Sequence, residues 1–271
     1  MGLFSTLCAA PPRHPEIKLV VSDFDGTLIP EAAMDISAEA LAMIRQIQAW
    51  GMRFVAATGR QYRNVRALLD PVAEDVYFMT ENGTSIIRNA ERLLYVPIPD
   101  RDVKILNDAI CAIPGNEPVF SSEHGAYIYR NSRLFEEVEY EPVYYCRIDR
   151  FDEIDEKINK VSRFCMDGVA PEREFFVRRF ADPYHAAVSG EHWQDFTLAD
   201  KGGSLARVMQ WEGATADQVL CFGDNWNDIG MLRLARYSYA AENAPGAVKA
   251  VCGGTFRSVP ESCARFFGLI E

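Results

Sequence analysis

The sequence predicts an α/β fold with a parallel-sheet core and an inserted α+β domain. Three observations lead to this prediction. Strand-like apolar runs alternate with helical stretches from residue 17 to residue 80, the same alternation returns after residue 201, and the intervening segment is patterned as hairpins. Alternating strands and helices are typical of parallel sheets with right-handed crossovers. We expect a flexible leader at 1–15, a core domain made of 16–83 and 192–271, and an inserted domain at 84–191.

The first strand is predicted just before Asp23, where a β-branched apolar run leads into Asp-Phe-Asp-Gly-Thr. Such a run is typical of a strand that is covered on both faces. Ser37 is a suitable N-cap for the helix that follows, and Gly51 marks the end of that helix. A second strand is expected at 52–57, a helix after it, and a third strand at 76–79.

The middle of the chain has a different pattern, which predicts hairpins and not crossovers. Residues 84–97 indicate two strands around a turn at Asn89-Ala90, and residues 119–135 indicate two more around Asn131-Ser132. The remaining expected elements are helices at 102–113 and 151–166, the latter from the spacing of Ile154, Ile158, Val161 and Phe164, and strands at 174–180 and 184–188.

After Lys201 the first alternation returns. Gly202-Gly203 lead into a helix expected at 204–211, and a buried strand at 218–222 runs into Gly-Asp-Asn-Trp-Asn-Asp. The other predicted elements are a helix after 229, a strand at 237–241, a short helix at 246–251 and a final helix at 260–269.

Composition limits the classes of function. The chain has 271 residues with 48% hydrophobic and 25% charged residues, a globular profile, and its net charge of −11 argues against nucleic acid as a partner. Seven cysteines without CxxC spacing predict reduced thiols in a cytoplasmic protein. No apolar run approaches the ~18–20 residues of a membrane span, so no membrane partner is expected. The sequence leaves the oligomeric state open.

Several chemically active residues lie where predicted strands end or the next helix begins. They are Asp23, Asp25, Thr58, Lys201, Asp224 and Asp228. The carboxyl ends of parallel strands share one edge of a sheet, so these side chains can converge. Carboxylates suit Mg²⁺, and a hydroxyl and an ammonium suit phosphate oxygens, which together favour phosphoryl transfer. Asp23 can then be a nucleophile that forms an aspartyl-phosphate, with Asp25 as general acid and base.

The four segments around these residues resemble the ordered motifs of the haloacid dehalogenase superfamily of phosphatases, most closely its Cof-type branch. They are Asp-Phe-Asp-Gly-Thr-Leu from Asp23, Thr58-Gly59-Arg60, Lys-Gly-Gly-Ser-Leu from Lys201, and Gly-Asp-Asn-Trp-Asn-Asp-Ile-Gly-Met from Gly223. Asn82-Gly83 also resembles a secondary signature of this branch. The resemblance implies a Rossmann-like core and a cap domain between the second and third motifs.

The resemblance also implies roles for individual residues. Asp23 would be the nucleophile and Asp25 the general acid and base. The expected magnesium ligands are the Asp23 carboxylate, the Asp25 backbone carbonyl and the Asp224 carboxylate, with Asp228 in support. The expected phosphate-binding residues are Thr58, Gly59, Lys201 and Asn227, and Arg60 is a further supporting residue.

We therefore expect a Mg²⁺-dependent phosphatase acting on a small phosphorylated metabolite, such as a sugar phosphate or a cofactor phosphate. A phosphomutase is the alternative within the enzymes, and a phospho-receiver domain or a metabolite-binding protein is the alternative outside them. Asp25 argues against a receiver, because a general base hastens loss of the phosphate. The sequence leaves two alternative roles for each of two further residues. Arg60 either contacts the cap or begins a helix, and Trp226 either flanks the substrate or packs beneath it.

Overall fold

The computed structural model describes residues 3, 4, 8, 10–30, 35–134 and 145–271. The chain divides into two compact units, Met1–Leu93 with Lys201–Glu271, and Leu94–Asp200. The second unit is thus inserted between the two segments of the first, and both junctions lie later in the chain than the expected 83/84 and 191/192.

The strands of the described residues are numbered in chain order. They are β1 (Leu19–Asp23), β2 (Arg53–Ala57), β3 (Tyr77–Thr80), β4 (Ser85–Arg88), β5 (Glu91–Tyr95), β6 (Asn116–Ser122), β7 (Ala126–Tyr129), β8 (Tyr145–Ile148), β9 (Ile158–Cys165), β10 (His185–Val188), β11 (Trp193–Thr197), β12 (Val219–Gly223), β13 (Tyr237–Ala241) and β14 (Gly254–Phe256). The α-helices are α1 (Ala38–Ala49), α2 (Tyr62–Leu68), α3 (Asp100–Cys111), α4 (Arg173–Phe180), α5 (Lys201–Trp211), α6 (Ile229–Leu234), α7 (Gly246–Lys249) and α8 (Val259–Phe266).

The first unit is built on an eight-stranded sheet in the order β14-β13-β12-β1-β2-β3-β4-β5. The strands from β14 to β3 pair in parallel, which confirms the predicted α/β core. All residues of β1 and β12, which lie side by side, are buried. The carboxyl ends of β1, β2, β3 and β12 therefore lie at one edge of the sheet, where ligands bind in open α/β folds.

Strand pairing explains where the junctions between the units fall. β4 pairs antiparallel with β3, with Phe78 opposite Ile87, so the hairpin extends the core sheet instead of opening the inserted domain. Its turn is where it was predicted, with positive φ angles of 50° at Asn89 and 62° at Ala90. At the second junction β11 pairs with β9 and β10, so it belongs to the inserted unit.

Local signals at α1 act as predicted. The side chain of Ser37 accepts a hydrogen bond of 3.1 Å from the backbone N–H of Ala40, which satisfies an otherwise unpaired helix donor. Gly51, with a φ of +80°, ends the helix in the left-handed conformation that glycine adopts without strain. α5 differs from the prediction, since it begins at Lys201 and not after the two glycines.

The inserted unit is a six-stranded sheet in the order β10-β11-β9-β6-β7-β8. Helices α3 and α4 share one apolar core with this sheet, which includes Leu106, Phe120, Phe176 and Phe196. The hairpin of β6 and β7 is present, but its turn lies between Ser122 and Ala126, not at Asn131-Ser132. Residue 135, the predicted end of that hairpin, lies outside the described residues.

Two elements of the inserted unit were predicted wrongly. The second half of the helix expected at 151–166 is β9, whose eight residues are all buried between β6 and β11. A strand that is covered on both faces does not show alternating apolar and polar residues. The apolar residues of β9 therefore fell at helical spacing by chance. The strand expected at 174–180 is α4, in which Phe176 and Phe180 are buried one turn apart, while Arg178 pairs with Glu174 across one turn.

The described residues of the predicted leader pack against the first unit. The backbone N–H of Arg13 donates to the carbonyl of Phe267 at 3.0 Å, and the His14 ring stacks on Phe266 with centroids 4.4 Å apart. The prediction of a flexible leader is therefore wrong for 10–15, and residues 1, 2, 5–7 and 9 of it lie outside the described residues. Among the helices that the structure describes, none has the length and apolar character needed to cross a bilayer.

Candidate active site

Asp23 ends β1 and is 6% exposed. Its carboxylate accepts a hydrogen bond from the ammonium group of Lys201, the first residue of α5. The same ammonium donates to Oδ1 of Asp228 at 2.6 Å, and the Lys201 side chain is fully buried. A buried cation between two buried carboxylates forms the centre of the site, and it joins residues that are distant in the sequence.

Asp228 shapes the loop that follows β12. Its Oδ2 accepts hydrogen bonds from the backbone N–H groups of Asp224 at 2.9 Å and Asn225 at 3.0 Å. Gly223 permits this close approach, because a Cβ atom there would lie 2.7 Å from the Cβ of Asp228. Both oxygens of Asp228 are thus engaged, one by the loop and one by Lys201, which suits the supporting role predicted for this residue.

Asp224 is held against the loop that follows β1. The hydroxyl of Thr27 donates to its Oδ1 at 2.8 Å. Gly26 has a φ of +78°, and a Cβ atom there would lie 2.6 Å from Oδ2 of Asp224. A glycine is therefore required both by the turn and by the closeness of the carboxylate.

The carboxylates of Asp23, Asp224 and Asp228 form a compact cluster, with one oxygen of each within 4.8 Å of the others. Burial and the negative charge of Asp228 raise the pKa of Asp23 well above its ordinary value, against the opposing effect of Lys201. Burial and Asp228 also raise the pKa of Asp224. A second cation would relieve this excess of negative charge.

The donor set of this cluster fits magnesium, which prefers oxygen ligands and is commonly held by one or two carboxylates. Asp23 and Asp224 are the carboxylates suited to direct coordination, since the oxygens of Asp228 are already hydrogen-bonded. Burial lowers the pKa of Lys201, but Asp228 and Asp23 outweigh that effect and raise the pKa above its ordinary value. Lys201 is therefore protonated, and its ammonium supplies one fixed positive charge next to the carboxylate cluster.

The side chain of Asp25 is 53% exposed and lies outside the carboxylate cluster. The Nε atom of Arg60 donates to both of its oxygens, at 3.0 and 2.9 Å. Arg60 lies just before α2, which begins at Tyr62, and its guanidinium orients the carboxylate predicted to be the general acid and base.

Thr58 follows β2 and is completely buried. Its hydroxyl oxygen accepts a hydrogen bond of 3.0 Å from the backbone N–H of Arg60, which leaves the hydroxyl hydrogen for another acceptor. Its carbonyl accepts from the backbone N–H of Asn82 at 2.9 Å, and the Asn82 side chain accepts from Nδ2 of Asn227 at 3.1 Å. Two residues with predicted phosphate contacts, Thr58 and Asn227, are thus connected through Asn82.

Asn82 is the residue that sequence reasoning underestimated. The family resemblance includes it only as part of a secondary signature, with no role. Glu81-Asn82-Gly83 directly follows β3, which is the placement shared by the other site residues, so the signal was available. Trp226, in the loop that follows β12, is 52% exposed.

Comparison with known proteins identifies the family. The sequence pattern of haloacid dehalogenase-like hydrolases matches residues 20–263, which is most of the chain. The chain belongs to the haloacid dehalogenase-like hydrolase family. This confirms the predicted superfamily and the predicted enzyme class of phosphatase.

Two relatives of this family from Escherichia coli are similar over most of their length. One is the 5-amino-6-(5-phospho-D-ribitylamino)uracil phosphatase YbjI, 25% identical over 241 residues that cover 86% of this chain and 88% of the relative. The other is the pyridoxal phosphate phosphatase YbhA, 26% identical over 251 residues that cover 86% and 90%. The crystal structure of SMU.1108c from Streptococcus mutans superposes with a TM-score of 0.83 at 25% identity, covering 93% of this chain and 99% of that one.

Proposed function

We propose that this member of the haloacid dehalogenase-like hydrolase family hydrolyses phosphate monoesters of small metabolites with Mg²⁺, through an aspartyl-phosphate at Asp23. The observation that carries the proposal is the ammonium of Lys201, buried between Asp23 and Asp228 and next to Asp224. It places a fixed positive charge beside a carboxylate at a strand end, where phosphate charge can be neutralised.

Magnesium would be held by the carboxylates of Asp23 and Asp224 and by the backbone carbonyl of Asp25. When bound, it supplies positive charge that reduces the repulsion between an anionic nucleophile and an anionic phosphate. Lys201, Thr58, Gly59 and Asn227 would bind the phosphate oxygens and set the phosphorus in line with the Asp23 carboxylate.

In the first step an oxygen of Asp23 attacks phosphorus, the bond to the ester oxygen breaks, and Asp25 donates a proton to the departing alcohol. In the second step Asp25 accepts a proton from water, the water oxygen attacks phosphorus, and inorganic phosphate leaves with Asp23 restored. Arg60 forms an ion pair with Asp25 and donates to both of its oxygens. We propose that Asp25 leaves this pair when it donates.

Two relatives and Trp226 support a proposal for the substrate class. The names of the two relatives each combine a phosphate ester with a planar heteroaromatic ring, a uracil or a pyridine. An exposed indole two residues after Asp224 offers such a ring a stacking surface. We therefore favour a cofactor-type phosphate with a planar ring over a simple sugar phosphate.

Replacement of Trp226 tests this preference. We expect Trp226→Ala to raise KM for pyridoxal 5′-phosphate about three- to tenfold, the range of an aromatic contact, and to leave KM for glucose 6-phosphate unchanged. Steady-state phosphate release with both substrates measures the difference. Trp211→Ala is a matched control, since Trp211 is also exposed. It lies at the end of α5 opposite to Lys201, where it stacks on Tyr77. Equal changes for both substrates would contradict a stacking role.

Release of inorganic phosphate from a panel of phosphorylated metabolites tests the function itself. We expect turnover with Mg²⁺, none after chelation, and recovery when Mg²⁺ is added back. Product analysis separates the alternatives, since a phosphomutase returns the phosphoryl group to the substrate, and a receiver or binding protein releases no phosphate catalytically. A folded protein that turns over no ester of the panel would contradict the phosphatase proposal.

The partners and location are proposed on the same basis. All seven cysteines are free in the structure, which supports a reducing compartment such as the cytoplasm. The net charge of −11 favours small-molecule substrates over nucleic acid.

A further inference from the structure

The segment Glu81-Asn82-Gly83 has an unusual backbone. Its three residues have positive φ angles of 51°, 58° and 96° in succession, and all three are buried. This conformation is unfavourable for residues other than glycine, and such strain persists only where surrounding contacts enforce it. Strained segments of this kind cluster at functional sites.

Backbone contacts hold the segment between two parts of the candidate site. The N–H groups of Glu81 and Asn82 donate to the carbonyls of Arg60 and Thr58, at 3.1 and 2.9 Å. The hydroxyl of Ser204, on the first turn of α5, donates to the carbonyl of Gly83 at 2.6 Å. The segment is thereby fixed both to the loop after β2 and to the helix that begins with Lys201.

The Asn82 side chain reaches a third part, the loop after β12. Its Oδ1 accepts from Nδ2 of Asn227 at 3.1 Å, and the same oxygen would lie 3.2 Å from a Cβ atom at position 59. Oδ1 of Asn227 is buried and has no hydrogen-bond partner among the described residues. The contact with Asn82 therefore determines the orientation of the Asn227 amide, with its nitrogen towards Asn82.

We propose that Asn82 is a positioning residue that orients the amide of Asn227 for phosphate binding and defines the space over Gly59. The proposal rests on the proposed function, because it concerns the same phosphate site. With Asn82 as acceptor, Asn227 keeps a second N–H that can donate to a phosphate oxygen. Without Asn82 the amide can turn by half a rotation and present its carbonyl oxygen, which a phosphate anion repels.

A double-mutant cycle tests the coupling. The variants are Asn82→Gly, which suits the positive φ and removes the whole side chain, Asn227→Ala, and both together. We measure kcat and KM for p-nitrophenyl phosphate and the inhibition constant of inorganic phosphate, with Mg²⁺ present. We expect either single change to weaken phosphate inhibition about tenfold, and the double variant to be no weaker than Asn227→Ala alone.

Asn89→Gly is the matched control, because Asn89 also has a positive φ and a side-chain hydrogen bond, to Asp75, but lies outside the site. Its phosphate inhibition should equal that of the wild type. If Asn82→Gly does not fold, Asn82→Ala takes its place in the cycle. Multiplicative losses in the double variant would overturn the positioning role while leaving the proposed function intact. A folded wild type that neither turns over the ester nor is protected by phosphate in thermal unfolding would overturn both.

Discussion

Asp23→Asn is expected to lower kcat for phosphate release on the order of 10³-fold or more, because the amide cannot attack phosphorus. The substitution also removes a carboxylate that we propose as a magnesium ligand. Phosphate release at saturating substrate and Mg²⁺ measures the loss. Rapid quenching of the wild type should in addition trap phosphate covalently bound to the protein, and the variant should trap none.

The same substitution should not harm the fold. Burial and the charge of Asp228 raise the pKa of Asp23, so an ionised Asp23 is unfavourable in the metal-free protein, and a neutral amide removes that repulsion. We expect the midpoint of thermal unfolding to stay equal or rise. Asp217→Asn, an exposed aspartate outside the cluster, should leave both activity and midpoint unchanged. Retained activity in Asp23→Asn would exclude Asp23 as the nucleophile.

Lys201→Met is expected to destabilise the protein by about 3–5 kcal/mol, the cost of removing one partner from a buried ion pair. Lys201 touches both Asp23 and Asp228, and its side chain and that of Asp228 are fully buried. Methionine fills a similar volume, so the loss comes from uncompensated negative charge and not from a cavity. Urea unfolding monitored by circular dichroism measures the free energy of unfolding.

The control is Lys157→Met, which removes an exposed lysine paired with Asp100 in the inserted unit. An exposed ion pair contributes about 0–1 kcal/mol, so this variant should unfold close to the wild type. Added Mg²⁺ should recover part of the stability lost in Lys201→Met, because a second cation reduces the charge of the same carboxylate cluster. Equal stability of the two variants would show that Lys201 does not neutralise the cluster.

The sequence was informative about the candidate site because of where its residues stand. Asp23, Thr58 and Asp224 each follow a short apolar strand, and the parallel pairing of β1, β2 and β12 brings such positions to one edge. Strand ends are marked locally by a change from apolar to polar residues. The convergence of the site was therefore predictable without knowing any side-chain contact.

The inserted unit was harder, because its burial depends on partners that are remote in sequence. Arg163 in β9 is completely buried, where its guanidinium donates to Asn116, Gln194 and the carbonyl of Val169. A polar residue whose partners come from remote segments looks like a surface residue in the sequence, so the burial of β9 on both faces was not visible there. The segment of α4 was predicted as a strand, but Phe176 and Phe180 pack into the core of the inserted unit at helical spacing.

The order of strands in the first unit has a consequence for how the protein folds. Leu19 of β1 is paired with Val219 of β12, 200 residues later (219 − 19). Contacts of such long range slow folding, since the chain loses the entropy of closing a large loop before the strand pairing can stabilise it. During synthesis one side of β1 has no partner until β12 emerges from the ribosome. A chain that terminates before residue 219 would present this apolar edge to other chains, so premature truncation should produce aggregates instead of a partly active enzyme.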